Sequence, residues 1–123
     1  MYQIKFYMKR GETESELQRT FDYLKFRSAT SKEARINFAA ISCYIESLKT
    51  NGLTLNSKYI KKLRTDLWEL RPRKNRILFF TAESNTFVLL HMFVKKTQKT
   101  PKSEITRALN EIYDYKNGGK NNG

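Results

Sequence analysis

Residues 87–94 read FVLLHMFV, eight mostly apolar positions that run without a break into Lys95, Lys96 and Lys99 ahead of Thr100-Pro101. So short an apolar run, rich in β-formers, predicts a buried strand; a membrane span needs ~20 such residues. Two more β-patterned segments precede it, LWELRPR from Leu67 and NRILFFTAE from Asn75. The polar triplets Arg73-Lys74-Asn75 and Glu83-Ser84-Asn85 separate the three, and the spacing predicts a three-strand antiparallel meander. Pro72 fits only at a strand end or edge.

The flanking segments supply the layers that a meander needs. Tyr2 to Met8 alternates, with Tyr2, Ile4, Phe6 and Met8 on one face, and predicts an N-terminal strand ending at Gly11. Thr13 with Glu16 forms a capping box before Leu17, Phe21 and Leu24. Thr30 with Glu33 forms another before the stripe Ala34, Phe38, Ile41, Ile45 and Leu48, which Asn51-Gly52 stops. A two-helix hairpin follows from the short turn between them. Asn56-Ser57 is read as the cap of a short helix carrying Ile60 and Leu63, with Lys61 and Lys62 around it. Thr100 as N-cap and Pro101 at the first helical position open a C-terminal helix with Ile105, Ala108, Leu109 and Ile112 inward. The order β, α, α, short helix, β, β, β, α predicts one α+β domain over residues 1–116, with helices on an antiparallel sheet and a flexible tail at 117–123.

Charge narrows the function. The 123 residues carry 24 Lys plus Arg against 12 Asp plus Glu, a net charge of +12 that favours an anionic partner, nucleic acid first. With 39% hydrophobic residues the chain is too apolar for a disordered basic tail. Cys43 is the sole cysteine, which excludes an internal disulfide and a cysteine-rich metal site, and it reads as a small core residue. The N-terminus lacks the apolar region of a signal peptide, so the expected location is cytoplasmic.

Strand alternation gathers the charge. Leu67, Glu69, Arg71 and Arg73 share one face and Trp68 and Leu70 the other. Arg76 opens the next strand, and Lys95 and Lys96 close the one after it. A meander brings these ends together, so Arg71, Arg73, Arg76, Lys95 and Lys96 are expected at one edge of the sheet. Like charges so placed repel unless an anion sits among them, and a phosphate backbone meets that need. A lysine crowded by cations also holds its proton less firmly, which suits proton transfer in phosphodiester cleavage. The competing reading is a merely solvated basic rim. Glu69 reads as a salt-bridge partner orienting an arginine rather than a base, and Trp68 as core rather than a stacking platform. His91 has Phe87, Leu89 and Phe93 on its own face and reads as a core residue; as the only histidine it excludes a two-histidine ribonuclease. No Walker loop, HExxH motif or His/Cys metal cluster is present, so nuclease chemistry is expected to be metal-independent, without a cofactor.

The runs LLHMFVKKTQKTPKSEITRAL and LWELRPRKNRILFF resemble the HigB-type toxins, a phage-derived branch of the RelE/ParE superfamily of toxin–antitoxin systems. The resemblance implies a RelE-like fold and an endoribonuclease that cleaves messenger RNA on the ribosome. It also implies neutralisation by a helix-turn-helix antitoxin of the HigA kind, in a heterotetramer built on an antitoxin dimer. Carried over by position, the family's phosphate-binding cations fall on Arg71, Arg73, Arg76, Lys95 and Lys96, the general base being Lys95 or Lys96. Lys61, Lys62, Lys74 and Lys99 become outer RNA contacts. The chain departs from well-known members in lacking a tyrosine at a C-terminal strand end, since Tyr113 and Tyr115 fall in a predicted helix. Two alternatives remain: a non-catalytic basic module, and a toxin that poisons gyrase.

Overall fold

The computed structural model describes residues 1–119. The chain forms β1 (Gln3–Phe6), α1 (Glu16–Arg27), α2 (Lys32–Asn51), a 3-10 turn (Gly52–Thr54), β2 (Ile60–Lys62), β3 (Leu67–Leu70), β4 (Asn75–Thr81), β5 (Thr86–Val94) and α3 (Lys102–Gly119). All five strands join one sheet in the order β1-β5-β4-β3-β2. The meander therefore has four antiparallel strands rather than three, and β1 adds to it in parallel beside β5, making the sheet mixed. Central place belongs to β4, with β5 next to it.

Helices cover both faces. Leu17 and Phe21 of α1 and Ile41 and Leu48 of α2 pack with Leu70, Ile77, Phe79, Phe87 and Leu89 of the sheet. On the other face Ile105 and Ala108 of α3 pack with Leu67, Leu78, Phe80, Val88 and Leu90. Strands buried on both sides need apolar residues at every position, which is why RILFF and FVLLHMF do not alternate.

Several local expectations are corrected. The caps of α1 and α2 are Ser15 and Ser31, each extended and each accepting the amide of the third residue on, Gln18 or Ala34. The neighbouring Thr13 and Thr30 do not fill that role. The helix expected after Asn56-Ser57 is absent: the Asn56 side chain accepts from the Lys58 amide, and residues 60–62 form the edge strand β2. A single turn of helix is too short to hold itself, whereas pairing Ile60 with Leu70 buries Ile60 against α1 and α2. Cys43 is exposed, because two residues along a helix from buried Ile41 is about 200° around it. The expected tail starts in helix, since α3 continues through Gly119; its remainder, 120–123, lies outside the described residues.

The largest correction concerns β5. The β4–β5 register pairs Leu78 with His91 but Phe79 with Leu89, leaving Leu90 as an inserted residue. One inserted residue reverses the facing of everything beyond it. Phe87 and Leu89 thus stay on the α1/α2 side, while His91 and Phe93 turn to the α3 side instead of sharing their face.

Gly52 ends α2 with φ 61°, in the left-handed region, and a Cβ there would lie 2.5 Å from the Tyr2 ring. Gly11, at φ 87°, has open space around it. Gly52→Ala is expected to destabilise the fold by about 3 kcal/mol and Gly11→Ala by only about 1 kcal/mol, measured by urea unfolding. Equal losses would contradict the close packing of β1 on the end of α2.

Candidate functional site

Glu69 sits in β3, facing α3, and is 2% exposed. An ionised carboxylate so buried must be paired and hydrogen-bonded. Its Oε2 lies 3.5 Å from Arg71 Nε and 3.9 Å from Arg76 Nε, and its Oε1 accepts a hydrogen bond from the Thr100 hydroxyl. Arg76 is itself buried, and its Nη1 donates to the carbonyls of Arg73 and Asn75 at 2.8 Å each. Burial pushes its guanidinium below the usual arginine range; Glu69 opposes the fall and Arg71 adds to it. Arginine nevertheless stays charged at neutral pH, so Glu69 faces two fixed cations. Arg71 reaches outward and donates from Nη1 to the Ser57 carbonyl at 3.0 Å, tying the chain before β2 to the site.

Lys95, Lys96 and Lys99 complete the wall of this cleft, together with Phe93 and the loop to Pro101. Five cations thus surround one carboxylate. The cleft interior holds only about 10 Å³, room for roughly one water. The cleft is therefore too small to admit an anion beside Arg76, and its solvent-facing part is the rim formed by Arg71 and the lysines.

The other expected residues part company. Arg73 has a left-handed backbone, φ 59°, and its guanidinium turns to Glu33 on α2, 3.5 Å away, instead of joining the cleft. The strand ends at Leu70, so alternation no longer sets the facing of residue 73. Lys74 contributes its carbonyl, which accepts the Lys95 amide at 2.7 Å, and not its side chain to the lining. Register places Lys61 beside Glu69, on the cleft's face, and Lys62 beside Trp68, with its ammonium 5.9 Å from the Trp68 ring centre. Trp68 itself packs on the α1/α2 core. Sequence reasoning missed Thr100, read there as a helix cap, and Phe93, hidden by the bulge.

His91 is buried under α3, with Nδ1 2.5 Å from Glu111 and Nε2 2.9 Å from Glu104. Both ring nitrogens thus face carboxylates, and Arg107 continues the chain through Glu111 to Glu16 on α1. This network fastens β5, α3 and α1 together and is separate from the cation cleft. A much wider cavity, about 690 Å³, lies between α1 and α3 on that side and is lined by Glu12, Glu14, Glu16, Glu111 and Asp114 among others. Its arginines are already paired, Arg10 with Asp114, Arg19 with Glu12 and Glu14, and Arg107 with Glu16 and Glu111. Size alone would favour this groove, but its five acids outnumber its four cations, of which Lys9 alone has no ion pair among the described residues. The cleft has the opposite balance, with Arg71, Arg76, Lys95, Lys96 and Lys99 against the single carboxylate of Glu69.

A basic cleft at one edge of a helix-covered mixed sheet defines the class of the molecule: a small α+β protein with a cationic site where its antiparallel strands end. The chain matches the family described as "Phage derived protein Gp49-like (DUF891)" over residues 26–112, and it belongs to that family. Both cleft arginines and all three cleft lysines lie within the matched span. No curated protein matches. Among solved structures the chain is similar to the YoeB-YefM complex from Staphylococcus aureus, with 17% sequence identity and a TM-score of 0.46, covering 79% of this chain and 98% of that one. Among the described residues no helix is long and apolar enough to cross a membrane.

Glu69→Gln keeps an acceptor for Thr100 but removes the only negative charge from the cleft wall. The variant is expected to lose about 3 kcal/mol of stability in urea unfolding at low salt, and added phosphate should restore more of it than the wild type gains. Unchanged stability, with equal phosphate effects on both proteins, would mean that Glu69 does not hold the cations together.

Proposed function

We propose that the protein is the toxin of a toxin–antitoxin system and acts as an endoribonuclease on messenger RNA engaged by the ribosome. One observation carries this reading: five cations line a cleft that contains a single carboxylate, with Arg71, Lys95, Lys96 and Lys99 at its rim. Cations in such excess suit a phosphodiester, whose oxygens a guanidinium grips in pairs. The sequence resemblance to HigB-type toxins points the same way, and membership of a phage-derived family is consistent with it.

In this reading Arg71 binds the scissile phosphate at the rim. Arg76 supplies fixed positive charge from behind, where it need not reorganise as charge develops. Lys95 or Lys96 takes the proton from the 2'-hydroxyl. The 2'-oxygen then attacks phosphorus, the bond to the 5'-oxygen breaks, and that oxygen leaves with a proton from the second lysine or water. The products are a 2',3'-cyclic phosphate and a free 5'-hydroxyl, and no redox partner enters. Lys61 and Lys99 extend the contact to neighbouring phosphates on the cleft's face; Lys62 and Lys74 lie farther out. Arg73 is left out of the clamp because its guanidinium faces Glu33. Neutralisation by a helix-turn-helix antitoxin that shields the cationic rim completes the proposal.

A second reading has one observation in its favour. The cleft's sole carboxylate is occupied by Thr100 and two arginines, so only lysines remain to move a proton, and a protein that merely binds RNA needs no proton transfer. Brief induction followed by mapping of transcript 5' ends separates the two. Wild type should produce new ends inside open reading frames, Arg71→Ala/Lys95→Ala/Lys96→Ala should lower their yield at least about 100-fold, and Arg19→Ala should match wild type. Growth arrest without new ends would favour binding alone. Equal cleavage by the triple variant would remove these residues from the chemistry.

A further inference from the structure

We propose that Thr100 is a positioning residue of the cleft: its hydroxyl, held on Glu69, keeps the lysine loop against Arg71 so that the cations form one anion-binding rim. The inference rests on the phosphodiester reading above and assigns what sets the geometry of that site.

The loop from Lys95 to Lys99 carries three lysines toward two arginines, and mutual repulsion should drive it outward. Two tethers oppose this. At its start the Lys95 amide donates to the Lys74 carbonyl at 2.7 Å. At its far end the Thr100 hydroxyl donates to Glu69 Oε1, across 31 positions of sequence. Between the tethers the described side-chain bonding is internal, Thr97 Oγ1 donating to the Lys99 carbonyl at 2.7 Å.

The use made of this hydroxyl is the informative part. Threonine just before Pro101 at the start of a helix ordinarily accepts from helix amides. Here the Pro101 carbonyl accepts the Glu104 and Ile105 amides, and the Thr100 hydroxyl is directed to the sheet. The same carboxylate then holds Arg71 through Oε2. Glu69 thus links the lysine loop on one oxygen to the arginines on the other, and the distance between the two groups of cations is set by one hydroxyl. Valine has the shape of threonine without the hydroxyl, and serine has the hydroxyl without the methyl group.

The test compares wild type, Thr100→Val and Thr100→Ser. Two readouts are independent of catalysis: amide hydrogen exchange at Lys95, Glu104 and Ile105, the hydrogen-bonded amides that flank the loop, and fluorescence-anisotropy affinity for a 2'-O-methyl oligoribonucleotide that cannot be cleaved. Thr100→Val is expected to speed exchange and weaken affinity, each by about tenfold, the scale of one lost hydrogen bond, while Thr100→Ser stays within about threefold of wild type. Unchanged exchange in Thr100→Val would overturn the tether. Faster exchange with unchanged affinity would overturn the positioning role. Cleavage by wild type is scored separately from transcript ends. Wild type that cuts nothing removes the nuclease reading and leaves these two readouts decisive for Thr100; normal cutting with an unaffected Thr100→Val does the reverse.

Discussion

The pairing of one buried carboxylate with two arginines and a threonine hydroxyl is the constraint on which the candidate site depends. Removing Glu69 and Arg76 from water is costly, and neither would be tolerated alone at such burial. Their mutual attraction, with carbonyl acceptors for Arg76 and the hydroxyl for Glu69, compensates that cost and fixes the ends of β3 and β4 relative to each other. Once that anchor is set, Arg71 and the lysine loop are gathered around it. Exposed pairs such as Arg73–Glu33 contribute little by comparison.

Charge is also distributed unevenly between the two ends of the molecule. The arginines of the β1 and α3 side are matched by acids in the wide groove, so that region has little net field despite its size. Unmatched lysines lie along β2 and at the exit of β5. The cleft sets five cations against one carboxylate, whereas the groove sets four cations against five acids. The buried His91 network belongs to the other system and serves to hold α3 on the sheet.

Much of this was legible in the sequence because it follows from short-range periodicity. The helix stripes apart from Leu109, which was expected inward on α3 but is 44% exposed, the three strands after Asp66, the turn at Asn51-Gly52 and the convergence of Arg71, Arg76, Lys95 and Lys96 all come from alternation and turn residues. What escaped depends on non-local pairing. Residues 60–62 become a strand only because β3 offers an edge to Ile60, and nothing in IKK announces it. The inserted Leu90 reverses the facing of His91 and Phe93, and no local signal marks a bulge inside an unbroken apolar run. Arg73 left the expected cluster because alternation ceases where β3 ends. Thr100 was misread for a related reason: its position looks like a cap, but its partner comes from a strand 31 residues earlier.

The central claim is that the negative charge of Glu69 is what allows Arg76 to be buried and the cations to assemble. A double-mutant cycle of Glu69→Gln and Arg76→Met, followed by urea unfolding at low salt, measures that dependence directly. The account predicts that the double variant is more stable than the sum of the single losses implies, by about 2 kcal/mol. Losses that add to within about 0.5 kcal/mol would show that the two residues act independently, and would contradict it.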